Sequence, residues 1–78
     1  MKRSAYLVVS LLAGSARSAA VPCGPGRAAR SIACSAALEL AAELESRGAA
    51  VLGVWSYRWD RKRWKVEQVN RERARVAA

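Results

Sequence analysis

The sequence contains no histidine, and Cys23 and Cys34 are its only cysteines. Two thiols without an imidazole fall short of the four ligands of a structural zinc site. Nor is there a base of the usual kind for an activated serine or cysteine nucleophile. No lysine sits in an evident activating setting. The glycine-rich segment Cys23-Gly24-Pro25-Gly26-Arg27 is not followed by the Lys-Ser/Thr of a phosphate-binding loop. Glu39 and Glu43 lie one helical turn apart, and with Arg47 four residues beyond Glu43 they read as a surface ion pair rather than a catalytic carboxylate pair. The expectation is a binding protein, not an enzyme, with no cofactor and no metal.

Acidic residues are scarce as well. Six Asp and Glu face fourteen Lys and Arg, a formal net charge of +8, and eleven of the fourteen are Arg. Guanidinium groups make planar, bidentate contacts to phosphate and carboxylate. The balance points to an acidic partner: nucleic acid, an acidic protein face or an anionic surface. The charge is uneven, with eight basic residues between positions 58 and 75 and three of the acids, Glu39, Glu43 and Glu45, within one helical stretch.

Large apolar side chains are few. The hydrophobic fraction is 53%, but seventeen of those residues are Ala, which bury little area each. The 78 residues are expected to form one domain, 1–78, with 71–78 a basic tail that frays. Net stability for such a chain is roughly 3–5 kcal/mol, and dimerisation is one way to hide more surface.

The start of the chain has two readings. Lys2 and Arg3, the apolar run Ala5–Gly14 and Ser18-Ala19-Ala20 resemble a secretory signal over 1–20. The run is too short to span a membrane. The preferred reading is a buried strand at Ala5–Ala13, with Leu7, Val9 and Leu11 on one face and Tyr6, Val8, Ser10 and Leu12 on the other.

Residues Gly14–Gly26 read as a loop, punctuated by Ser15, Ser18, Pro22, Gly24 and Pro25. A helix is expected over Arg27–Arg47, since Ala is the best helix former. Steps of about 100° gather Ala29, Ile32, Ala33, Ala36, Ala37, Leu40 and Leu44 on its buried arc. That small-residue face suits close packing on a sheet, and Gly48 suits the position just past the helix end. A strand over Ala49–Trp59 and another over Arg63–Asn70 flank the loop Asp60-Arg61-Lys62-Arg63, read as a type I turn. If Trp59 meets Trp64, then Tyr57 opposes Val66 and Trp55 opposes Gln68. The fold class is α+β, in the order β-α-β-β, with one helix packed on a small, mostly antiparallel three-stranded sheet.

Aromatics and cations interleave along this hairpin. Trp55, Tyr57, Trp59 and Trp64 alternate with Arg58, Arg61, Lys62, Arg63 and Lys65, and Arg71 and Arg73 follow. Three readings stay open. Nucleic-acid bases stack on rings while cations hold phosphates; Trp and Arg also anchor protein interfaces; or the rings pack as core and the charges are merely solvated. Cys34, beside Leu38 on the helix flank, is the candidate for a twofold contact, with or without a disulfide, against the plainer reading of a buried free thiol. Cys23, in the loop, is expected to be exposed, and an intrachain Cys23–Cys34 bridge would close only a short loop.

The order of elements resembles that of the small phage and prophage anti-CRISPR proteins that act on type I Cascade complexes, type I-C among them. The elements concerned are a short first strand, an Ala-rich helix ending in Arg47-Gly48, the strand from Ala49 to Trp59 and a charged hairpin, spanning Ala5–Asn70. The resemblance implies an inhibitor that binds Cascade subunits in the host cytoplasm and keeps target DNA out. Many such inhibitors are acidic and imitate DNA; this chain is basic, so its partner would be an acidic protein face or the nucleic acid itself. Direct DNA or RNA binding, and a secreted basic protein with signal peptide 1–20, are the alternatives. No membrane span is expected.

Overall fold

The computed structural model describes residues 4–72. Five elements follow one another: β1 (Ser4–Leu12), β2 (Ser15–Cys23), α1 (Arg27–Ser46), β3 (Ala50–Asp60) and β4 (Arg63–Gln68). The strands form one antiparallel sheet in the order β2-β1-β3-β4. The α+β class is as expected from the sequence, but the sheet has four strands, not three, and the order is β-β-α-β-β.

The additional strand, β2, lies where the sequence suggests a loop. Nine residue pairs, Ser4–Cys23 through Leu12–Ser15, join it to β1 across the turn at Ala13-Gly14. Small and polar residues such as Ser15, Ala16, Ser18 and Ala20 have weak strand preference, so pairing with β1 rather than propensity sets their conformation. Pro22 is tolerated because β2 is an edge strand.

Helix α1 runs from β2 to β3 and lies on one side of the sheet. Its contact row is Ala33, Ala37 and Ala41, spaced four apart, all buried, with Leu40 and Leu44 packed beside it. The expected arc is therefore rotated: Ile32, placed inside it by the sequence, is 71% exposed. Alanine side chains permit the closest approach of helix to sheet, and the sheet answers with Val8 and Val54, the two largest side chains that are fully buried.

The helix ends as Gly48 implies. Gly48 N–H donates to the Glu45 carbonyl and Ala49 N–H to the Leu44 carbonyl at 3.0 Å, with Gly48 at φ 92°. This is the Schellman arrangement, which needs a residue without a Cβ penalty in the left-handed region. Arg47 pairs with Glu43 at 2.7 Å on the exposed helix surface.

Strand β3 carries a bulge. Val9 pairs with Gly53 but Ser10 pairs with Val51, so Leu52 is an extra residue and stands 52% exposed. The β3–β4 hairpin has the expected register, Trp59–Trp64, Tyr57–Val66 and Trp55–Gln68. Its turn differs: Arg61 and Lys62 both have positive φ, 48° and 67°, the signature of type I′ rather than type I, whose twist matches the flanking strands.

Candidate interaction surfaces

The pleat sorts the hairpin's side chains by kind. Residues directly opposite each other share a face, and alternate residues change face. Val8 and Val54 lie under α1, which fixes the helix-covered side. On that side come Ser56 with Glu67, Arg58 with Lys65 and Asp60 with Arg63. On the other side come Trp55, Tyr57, Trp59, Trp64 and Val66, beside Leu7 and Val9 of β1. The strand cations Arg58, Arg63 and Lys65 thus lie on the face opposite the aromatic residues, with Arg61 and Lys62 in the turn between the strands.

The open face is uncharged and largely apolar, with Gln68 and Ser18 among its polar residues. All six charged residues of the four strands, Arg17, Arg58, Asp60, Arg63, Lys65 and Glu67, fall on the helix side by register. Trp59 and Trp64 meet edge to face, with ring centroids 5.3 Å apart and planes at 72°, a favourable aromatic geometry. The Trp55 indole lies across Gly53, close enough that a Cβ there would meet its Cη2 at 2.6 Å. Trp64 and Val66, on the edge strand, are 45% and 49% exposed.

The helix side is basic. Arg58 and Lys65 stand directly opposite each other, a like-charge pairing that is unfavourable in a sheet. Arg61 and Lys62 project from the turn, and Arg63 follows. Among the described residues, ion pairs join Arg47 to Glu43 and Arg71 to Glu45; Arg58, Arg61, Lys62, Arg63 and Lys65 belong to neither. Arg71 is thus committed to Glu45, tying the segment after β4 to the end of α1. Arg73 lies outside the described residues.

A cleft of about 170 Å³ opens on this side, lined by Arg30 of α1 with Tyr6, Cys23, Ser56, Arg58 and Glu67. Sequence reasoning did not single out Tyr6 or Arg30, which the fold brings together from β1 and α1. Burial pushes the Tyr6 hydroxyl above its ordinary pKa; the Cys34 and Cys23 thiols add to the shift and Arg30 opposes it. Both cysteines are free thiols. Cys23, expected in an exposed loop, is buried at the end of β2 and donates to the Gly24 carbonyl at 3.4 Å. Cys34 is half-buried, near enough to Tyr6 to help raise its pKa. Leu38 is likewise half-buried on α1.

Compared with known proteins, the chain matches no family model, no curated protein and no solved structure at a significant level. Among the described residues, no helix is long and apolar enough to cross a membrane. Fold and surfaces together define an α+β protein with a basic side and an uncharged aromatic side.

Proposed function

We propose that this chain is a small basic binding protein, without catalytic activity, that inhibits a nucleic-acid machine by holding an acidic surface of it. The contact is the basic side of the β3–β4 hairpin. The observation that carries this reading is the Arg58–Lys65 pair. Two cations held opposite each other weaken a hairpin, and an acidic partner converts that liability into binding. Arg30 across the cleft and Arg61, Lys62 and Arg63 at the tip extend the same field. The aromatic residues contribute by holding the hairpin, not by touching this partner.

The resemblance of element order to the type I anti-CRISPR proteins supports a Cascade complex as the target, with target DNA kept from binding. The charge supports seizure of an acidic protein face over imitation of DNA. Action in the cytoplasm of the bacterial host accords with the place of β1 at the centre of the sheet, since cleavage after residue 20 would remove that strand.

A second reading has its own observation. Trp64 is an exposed ring close to the cationic turn, and bases stack on such rings while cations hold the backbone.

The test is co-elution of the purified chain with purified type I Cascade, type I-C included, after nuclease treatment, together with target-DNA binding by that complex. The proposal expects a stable complex that no longer takes up target DNA, and loss of the complex on Arg61→Glu with Arg63→Glu while the fold persists. Retention of free DNA near about 100 mM salt, falling steeply with ionic strength, with no Cascade complex, would replace it by the second reading.

A further inference from the structure

The open sheet face raises a separate question, because the chain's largest side chains are there and not in its core. Beneath the helix, the fully buried side chains of any size are Val8 and Val54, packed with Ala37 and Ala41. Trp55, Tyr57, Trp59 and Trp64 stand on the far side of the sheet. A two-layer protein with four of its five aromatic residues on the outer face has placed its largest hydrophobic side chains where a single copy gains least from them. We propose that a second copy of the chain closes this face, giving a symmetric dimer in which two sheets pack face to face with one helix outside each.

Charge selects a second copy over other occupants. Two chains that each carry +8 repel unless they meet where neither presents a charge. The open face meets that condition, since every charged strand residue turns to the helix side. A twofold contact brings a patch against itself, so it must be complementary to its own kind; an uncharged, largely apolar sheet is. Packed sheets sit about 10 Å apart, and the basic sides then lie farther apart still, beyond a Debye length of about 8 Å at physiological salt. Nucleic acid, by contrast, would find no cation on this face to hold a phosphate, and a charged protein partner would find no counter-charge.

Size agrees. Four strands at about 4.8 Å and nine residues at about 3.4 Å give a footprint approaching about 600 Å² before side-chain relief, near the roughly 800 Å² per partner of a standard stable interface. The dimer leaves both basic sides exposed at its two ends, so it is independent of the partner proposed above and survives the failure of that reading. It also differs from a twofold contact through Cys34 and Leu38, which lie on the helix layer.

The experiment is sedimentation of the whole chain in reducing buffer, from about 1 to about 100 µM, with the thermal midpoint followed over the same range, because a folded dimer makes that midpoint depend on concentration. A mass of about 17 kDa is expected, twice the 8.4 kDa of the chain. The association should hold when salt rises from about 0.1 to about 1 M, where charge contacts are screened. Trp64→Glu and Val66→Lys, both on the exposed edge of the face, should yield monomers or a chain that no longer folds, while Lys65→Glu and Leu38→Glu should leave the dimer intact. A monomeric wild-type mass with a midpoint independent of concentration overturns the proposal. So does a dimer that persists in Trp64→Glu and Val66→Lys, which moves the interface elsewhere, or quenching of the tryptophans by single-stranded DNA in a monomer, which gives the face to nucleic acid.

Discussion

Trp55 and Gly53 share one space on the open face of β3. A Cβ added to Gly53 would lie 2.6 Å from Trp55 Cη2, 2.9 Å from Cζ3 and 3.1 Å from Gln68 Nε2. A strand glycine often marks such a close approach, and here the neighbour is the far side of a rigid indole. Gly53→Ala must therefore lift the ring off the sheet. The expected cost is about 1–3 kcal/mol, the range for overpacking, read from urea unfolding and a shift in tryptophan emission. Combining it with Trp55→Leu should recover part of the loss, because the two positions are coupled. Equal stability of Gly53→Ala and wild type would mean the ring is not seated there.

The hairpin turn holds strain at two cationic residues. Arg61 and Lys62 both occupy the left-handed region, at φ 48° and 67°, where a side chain with a Cβ costs roughly 1–2 kcal/mol. Asn-Gly is the natural occupant of such a turn. Arg61→Asn with Lys62→Gly should raise stability by about 1 kcal/mol, the relief of strain exceeding the added freedom of the unfolded chain. The same change removes two positive charges, so binding to the acidic partner should weaken as the thermal midpoint rises. A fall in midpoint would contradict the turn geometry.

Stability should depend on Tyr6 at high pH. Burial, then the Cys34 and Cys23 thiols, raise its pKa against the opposing Arg30. In the unfolded chain a tyrosine loses its proton near about pH 10, while in the folded chain it holds on longer. Above that pH the unfolded state binds fewer protons, so stability falls as pH rises; below it both states are protonated and this contribution is flat. Wild type should lose unfolding midpoint above about pH 10 more steeply than Tyr6→Phe, which has no proton to lose. Parallel declines in the two proteins would remove Tyr6 as the source.

The β3–β4 hairpin is legible in the sequence because two runs of large alternating residues flank a short charged segment, and Trp59 and Trp64 pin the register. β2 is not, because Ser15, Ala16, Ser18 and Ala20 carry no strand signal of their own and are ordered by pairing with β1. The helix arc is only partly legible. With alanine all around the cylinder the apolar direction is weakly set, and the sheet selects the Ala33-Ala37-Ala41 row that lets it come closest, leaving Ile32 outside. Which side of the hairpin the helix covers is not legible for a related reason. Period-two alternation divides Trp55-Ser56-Tyr57-Arg58-Trp59 into two faces, but nothing local says which face the helix covers. That depends on Val8 meeting Val54 under Ala37 and Ala41, a contact among three distant segments. Tyr6 and Arg30 escape notice on the same ground, being brought to one cleft by the packing of α1 on β1.

The pairing of Arg58 with Lys65 gives a test in which stability and binding move in opposite directions. Directly opposed like charges destabilise a sheet, and opposed unlike charges contribute roughly 0.2–1 kcal/mol. Lys65→Glu places a carboxylate opposite Arg58 and should stabilise the monomer fold by about 0.5 kcal/mol, less at high salt because position 65 is exposed and Arg58 only half-buried. If the hairpin's basic side holds an acidic partner, the same change removes one favourable charge, adds a repulsive one, and occupies Arg58 internally. Binding should then fall at least tenfold, about 1.4 kcal/mol, with the loss mostly in association rate if the charges act by steering. Arg58→Glu should do the same from the other side of the pair, and the double exchange Arg58→Glu with Lys65→Glu should weaken binding further while losing the stability gain. A purely structural pair would give the stability changes alone. Binding that survives all three variants would take the basic side of the hairpin out of the contact and leave the uncharged face as the surface to probe next.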